Sequence, residues 1–265
     1  MKQELTSFPA LVIRESDYGE NDKLLTLLTA EKGRMTVLFK GGKSLKNKNS
    51  ASSQLLCYSE FTVKERNGFF TLSEAALIQQ FFELRSSLDR FALSQYIADV
   101  CGEVSVENEN GEETLSLALN TLYMLCREDT DTDFIKAVFE LRCMALNGFC
   151  PDLSACPLCG KQESDIFYLD VMNGSLRCGD CFGSDEDIEL RKSEGQALMI
   201  IPLSRSVLAA MRYVISSPSK RIFSFKLEED ELEPFCRVCE RYLTNHLERG
   251  FKTLDFYKNI KKLDI

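Results

Sequence analysis

"CPLCGKQESDIFYLDVMNGSLRCGDC", residues 156–181, holds two Cys-x-x-Cys pairs with eighteen residues between Cys159 and Cys178. Spacing of this form belongs to metal-binding ribbons. Each pair predicts a tight knuckle whose two sulfurs point at one ion. Gly160 and Gly179 fall where such turns call for backbone freedom. Between the pairs, Ile166–Val171 and Ser175–Arg177 flank Met172-Asn173-Gly174, and Asn-Gly is a hairpin signal. The stretch therefore predicts knuckle, hairpin, knuckle: a zinc ribbon with Cys156, Cys159, Cys178 and Cys181 as ligands. Four thiolates complete a tetrahedron and leave no place for water or substrate, so the Zn2+ is expected to be structural.

Two other uses of four thiols fit less well. Met1–Leu11 has no basic start followed by an apolar core, and no run of eighteen apolar residues occurs. A cytoplasmic chain is expected, and its thiols stay reduced rather than forming disulfides. A redox pair ends a strand and opens a helix, whereas Cys156-Pro-Leu-Cys159-Gly-Lys runs into a polar turn. A set of unmetallated thiols remains the alternative. Cys57, Cys101, Cys126 and Cys143 lie in apolar runs and read as small core residues. Cys236 and Cys239 share a face of a predicted helix and read as buried, and Cys150 reads as packed beside the ribbon.

Upstream of the ribbon the pattern changes twice. Ala10–Ile13, Lys23–Thr29, Arg34–Phe39, Gln54–Val63 and Gly68–Leu72 are five apolar, partly alternating runs separated by turn signals such as Gly41-Gly42 and Asn67-Gly68. Five short strands predict a small barrel, with an OB-fold leading and an SH3-like barrel fitting the count almost as well. From about Gln79 to Asn147 apolar residues recur at three and four, as in Leu115-Leu119-Leu122, which predicts helices. Helix returns at Leu208–Ile215 and Phe235–Leu247. The predicted architecture is multidomain α+β: an OB-fold barrel over 1–78, a helical domain over 79–149, an inserted ribbon over 150–190, and the second part of the helical domain with a C-terminal tail over 191–265.

The 265 residues carry a net charge of −9, which by itself argues against nucleic acid. The distribution argues otherwise. From Lys32 to Ser59 the chain has Lys32, Arg34, Lys40, Lys43, Lys46 and Lys48 and no acid. Six like charges repel, so a phosphate-binding loop stands level with a solvated one. Acid gathers elsewhere, in Glu103–Asp133 and Glu228–Glu233, and reads as solvated surface.

Enzyme motifs fail one by one. Phe39-Lys-Gly-Gly-Lys-Ser44 lacks the P-loop's first glycine, because Val37 stands there. His246 is the only histidine and reads as a polar group near a helix end, which nearly excludes triads and His-rich catalytic metal sites. No carboxylate pair stands out. A nuclease would need carboxylates gathered around a divalent ion, so a binding protein is expected rather than an enzyme. Tyr58, Phe61, Phe69 and Phe70 are in reach of a barrel face where aromatics stack unpaired bases.

Three blocks in order resemble the RecO family of bacterial recombination mediators. "ALVIRESDYGENDKLLTLLTAEKGRMTVLFKGGKS" (10–44) is similar to its N-terminal segment, "FELRCMALNGFCPDLSACPLCG" (139–160) to its helix, turn and first knuckle, and "RYLTNHLERGFKTLDFY" (241–257) to its last helix and tail. The resemblance covers nearly the whole chain. It implies binding to single- and double-stranded DNA, strand annealing, work with RecR, contact with the C-terminal tail of the single-stranded-DNA-binding protein (SSB), and loading of RecA on SSB-coated strands, without ATP. It further implies nucleoid association, DNA contacts at Arg34, Lys40, Lys43 and Lys46, and zinc at Cys156, Cys159, Cys178 and Cys181. Lys136 and Arg142 are candidates for the tail contact, set against a surface reading. Relatives tend to carry Arg in the basic run where this chain has Lys, and Lys makes point-charge contacts rather than forked ones. A protein-only adaptor, docking partners through its acidic helices and ribbon, is the rival reading.

Overall fold

The computed structural model describes residues 4–184, 188 and 199–263. Five strands, β1 (Glu4–Tyr18), β2 (Asp22–Thr29), β3 (Gly33–Phe39), β4 (Tyr58–Arg66) and β5 (Phe69–Gln79), close a barrel in the order β1-β2-β3-β5-β4. β3 and β5 pair in parallel at Val37–Phe70 and Leu38–Thr71, and β1 pairs with β4 to complete the circle. That closure is the Greek-key pattern of an OB-fold and decides against the SH3-like alternative. Alternation explains the core. Leu25, Leu27, Met35, Val37, Phe61 and Val63 point inward, whereas Leu24, Thr36 and Leu38 face out.

Contacts divide the chain into two compact units, Met1–Thr132 with Phe251–Ile265, and Asp133–Gly250. In the first unit, α1 (Leu88–Val104) touches β1, β2, α2 (Glu112–Leu125) and α6 (Lys252–Lys261). Much of it is consequently buried, with Leu93, Tyr96, Ile97 and Val100 inside. The segment expected as a tail is thus a helix. Leu254, Tyr257 and Ile260 form its buried stripe, Phe251 meets the Tyr96 ring edge-on at 5.5 Å, and Tyr257 shares a hydrogen bond with Thr132.

The second unit holds α3 (Thr132–Leu146, its first residue on the boundary), the four-cysteine ribbon, α4 (Arg205–Ser216) and α5 (Glu229–His246). The hairpin of β6 (Phe167–Asp170) and β7 (Ser175–Cys178) pairs as the Asn-Gly signal predicts. A third strand, β8 (Ile200–Leu203), pairs with the other edge of β6. The ribbon's sheet therefore reaches past 190, into residues assigned to the helical domain. The boundary placed at 190 itself lies outside the described residues.

Candidate metal centre and nucleic-acid interface

The four sulfurs of Cys156, Cys159, Cys178 and Cys181 lie within 4.8 Å of one another, and Cys159 Sγ and Cys178 Sγ are 3.6 Å apart. A zinc–sulfur bond of about 2.3 Å implies tetrahedral edges of about 3.8 Å, so the donor set fits such an ion. The knuckles have a local cause. The Gly160 N–H donates to Cys156 O at 2.8 Å with Gly160 at φ +73°, and the N–H groups of Cys181 and Phe182 both donate to Cys178 O. Gly179 differs from expectation. It does not adopt a positive φ; a Cβ there would lie 3.0 Å from Ile166 Cγ2, so close approach selects glycine.

Burial pushes the Cys156 thiol up, but N–H groups of Cys178, Cys159 and Leu158 and the Cys159 side chain outweigh it and bring it down to about 7. The Cys181 thiol is pushed up, first by its hydrogen bond with Cys159 and then by burial. Four adjacent thiols cannot all ionise alone, and a bound cation would supply the missing charge. Outside the ring of ligands, Lys161 pairs with Asp180. Arg212 of α4 donates to Leu153 O, Ser154 O and Gln162 O, which ties the first knuckle down. Cys150 is exposed and outside the cluster. Cys239 is buried, with its thiol pushed up by burial, and Cys236 donates to Asp133 O, so this pair packs α5.

The basic residues sit at two places on the barrel. Lys40, Lys43 and Lys46 are exposed on the β3–β4 loop. Backbone bonds from Lys43 N to Asn21 O and from Gly41 N to Asp22 Oδ1 hold that loop against the β1–β2 turn. Lys43 Nζ also reaches Gly19 O and pairs with Asp17 at 3.2 Å, while Lys48 pairs with Glu74. Lys40 and Lys46 make no ion pair among the described residues. Arg34 stands apart. It is half-buried, and its guanidinium donates to Gly102 O at 2.7 Å, near the carbonyl end of α1.

Beside this loop, on the β2–β3–β5 face, lies a groove of about 540 Å³. Leu24, Thr36 and Leu38 floor it, Tyr18, Phe69 and Phe70 supply rings, and Lys32 and Arg34 supply charge. Lys32 Nζ sits 5.3 Å from the Phe70 ring centre, a cation–π contact. Of the aromatics expected on this face, Phe69 is 79% exposed and Phe70 is partly packed on the core. Phe61 is wholly internal, and Tyr58 is not on the groove. Tyr18, 53% exposed, was not among the expected rings. Its position at the end of β1, before the Gly19 turn, was the available signal.

Two further readings change. Lys136 is not a surface residue. It is 3% exposed and lies 3.0 Å from both Glu140 and Glu240. Burial opposes its charge, but the two carboxylates hold its pKa above the ordinary lysine value. Arg142 donates to Val214 O and Ile215 O at the end of α4. His246 does not act as a charged cap. It packs on Phe149 and Tyr242, and burial lowers its pKa.

Barrel and ribbon together define an OB-fold protein with a four-cysteine cluster that could hold a metal ion and a groove lined by aromatic and basic side chains. Residues 1–81 match the family described as Recombination protein O N terminal, and residues 85–255 match Recombination protein O C terminal. The chain is 31% identical over 253 residues to the DNA repair protein RecO of Acetivibrio thermocellus, covering 96% of each chain. It is 25% identical over 258 residues to that of Caldicellulosiruptor bescii, covering 97% of this chain and all of the relative. The chain belongs to the RecO family. No helix among the described residues is long and apolar enough to cross a membrane.

Proposed function

We propose that this protein is a DNA-binding recombination mediator in DNA repair, and that it performs no bond chemistry. It holds single- and double-stranded DNA, anneals complementary strands, and with RecR assists RecA loading on SSB-coated strands through contact with the SSB tail. It works in the cytoplasm, at the nucleoid. The observation that carries the DNA reading is the placement of Lys40, Lys43 and Lys46 on one loop beside an OB-barrel groove. Lysines neutralise phosphates and release counterions, and two strands held with less repulsion can pair. The metal is zinc, which the all-thiolate donor set favours, and it holds the ribbon rather than substrate.

The test is fluorescence anisotropy of a labelled single-stranded oligonucleotide titrated against salt. Binding that weakens with a slope of several released ions, and a slope flattened by Lys40→Glu with Lys43→Glu, supports the loop as the phosphate site. No binding at low salt would favour a protein-only adaptor. One observation points that way: Lys43 and Lys48 already have acidic partners.

A further inference from the structure

The lysine loop runs into residues 47–53, which are Asn, Lys, Ser and Ala only, the composition of a flexible linker. Its structure is not that of a linker. Gly42 N donates to Phe39 O, Ser44 N to Gly41 O, Asn47 N to Ser44 O and Ser50 N to Asn47 O, all between 2.9 and 3.2 Å. Residues 39–50 are therefore a succession of tight turns, each closed by a bond reaching three residues back.

Three polar side chains pin these turns. At the near foot, Asp22 Oδ1 accepts from Gly41 N at 2.7 Å. At the far foot stands Asn49, 6% exposed, against β5 just beyond the two residues that β3 pairs. Its Nδ2 donates to Ser73 O at 3.3 Å and its Oδ1 accepts from Ala75 N at 3.1 Å, so one side-chain amide does the work of a neighbouring strand. Asn47 joins the two feet. Its Oδ1 accepts from Asn49 N at 3.1 Å, and its Nδ2 donates to Lys40 O at 3.2 Å and Gly41 O at 3.4 Å. An amide carries acceptor and donor on separate atoms and can serve both feet at once; a carboxylate or a methyl cannot.

The lysines stand among these pins. Lys40 offers its own carbonyl to Asn47, and Lys46 directly precedes it; both side chains are exposed. Like charges on a free loop spread apart, and gathering them on a strand would cost order at every encounter. Here that order is made on folding. We propose that Asn47 is a positioning residue for DNA binding: by joining the two feet of the loop it fixes where Lys40 and Lys46 stand before DNA arrives. The proposal rests on the DNA-binding reading above. Asn47 acts through the lysines and adds no charge of its own.

The experiment compares the full chain with its Asn47→Ala variant. Anisotropy of a labelled oligothymidylate is followed across salt, and hydrogen exchange of residues 40–50 is read by mass spectrometry with and without that strand. In the unaltered chain the loop amides should exchange slowly before DNA is added, a result independent of how the variant folds. Asn47→Ala should exchange fast when free and slowly when bound. It should bind about 5- to 30-fold more weakly, the cost of reordering roughly one residue. Its salt slope should match that of the unaltered chain, because the same lysines release the same counterions, whereas Lys40→Glu with Lys43→Glu flattens the slope. Urea unfolding shows that the variant is folded under the binding conditions. A free wild-type loop that exchanges fast until DNA binds overturns the proposal. Unchanged affinity in folded Asn47→Ala overturns it as well, and leaves Asn47 a purely structural residue. A flattened slope in that variant also overturns it, since Asn47 would then alter the phosphate contacts themselves. No binding by the unaltered chain at low salt removes the DNA-binding reading and the positioning role together.

Discussion

Replacing Gly33 by alanine should release residues 105–111, between α1 and α2, from the β2–β3 turn of the barrel, to which Asn108 N and Gly111 N donate. Gly33 has φ +56°, where an L-residue costs about 1–2 kcal/mol. Its new Cβ would begin 2.2 Å from Val106 O and must retreat by roughly 0.8 Å to reach 3.0 Å, the nearest approach real Cβ atoms make. Val106 O is a backbone atom and a Cβ is fixed by its own backbone, so no side chain can swing aside. The retreat strains Arg34 N–Val106 O and Asn108 N–Lys32 O, each contributing about 0.5–1.5 kcal/mol. The expected loss is about 2–5 kcal/mol. Gly68→Ala is the control: it has φ +78° with no atom within 4 Å of a built Cβ, so only the backbone cost of about 1–2 kcal/mol applies. Urea unfolding followed by circular dichroism gives the difference from the shift in midpoint. A Gly33→Ala variant no less stable than Gly68→Ala would refute the close approach.

Cys156→Ser should abolish stoichiometric metal binding, measured by elemental analysis, and lower the melting temperature; a wild-type chain without metal and an unchanged melt would contradict the structural role. Lys136→Met should cost about 3–5 kcal/mol because it leaves Glu140, fully buried, without its cation. Adding Glu140→Leu should recover most of that loss, and a double variant as weak as the single one would count against the ion pair. Burial lowers the His246 pKa, so between that value and pH 6.5 the unfolded chain binds the extra proton. Stability should fall as pH drops below 6.5, and His246→Phe should flatten that dependence in urea midpoints taken on either side of this pH.

What could be read from the chain followed the range of each signal. The ribbon was legible because ligand spacing and an Asn-Gly turn act within 26 residues. The strands and helices were legible from their periods. β8 was missed because its four residues pair with a strand 30 to 36 positions away and carry little alternation of their own. The lysines at 40, 43 and 46 were visible as a charge cluster, but their position beside an aromatic groove was not. Phe61 and Phe69 have the same chemistry, and only the direction each faces separates a core ring from an exposed one.

The sequence by itself determined the local devices: two knuckles, five strands, helical stretches, a basic run and the family. Their causes are short-range, in dihedral preference, ligand spacing and hydrophobic period. Tertiary structure alone decided that β5 closes parallel to β3, that the C-terminal helix packs on α1, that Lys136 is buried between two carboxylates, and that residues 105–111 hydrogen-bond to the β2–β3 turn. Each of these depends on which distant segments share a surface. That is set by the summed packing of the core and by backbone groups seeking partners, and no window of neighbouring residues records it.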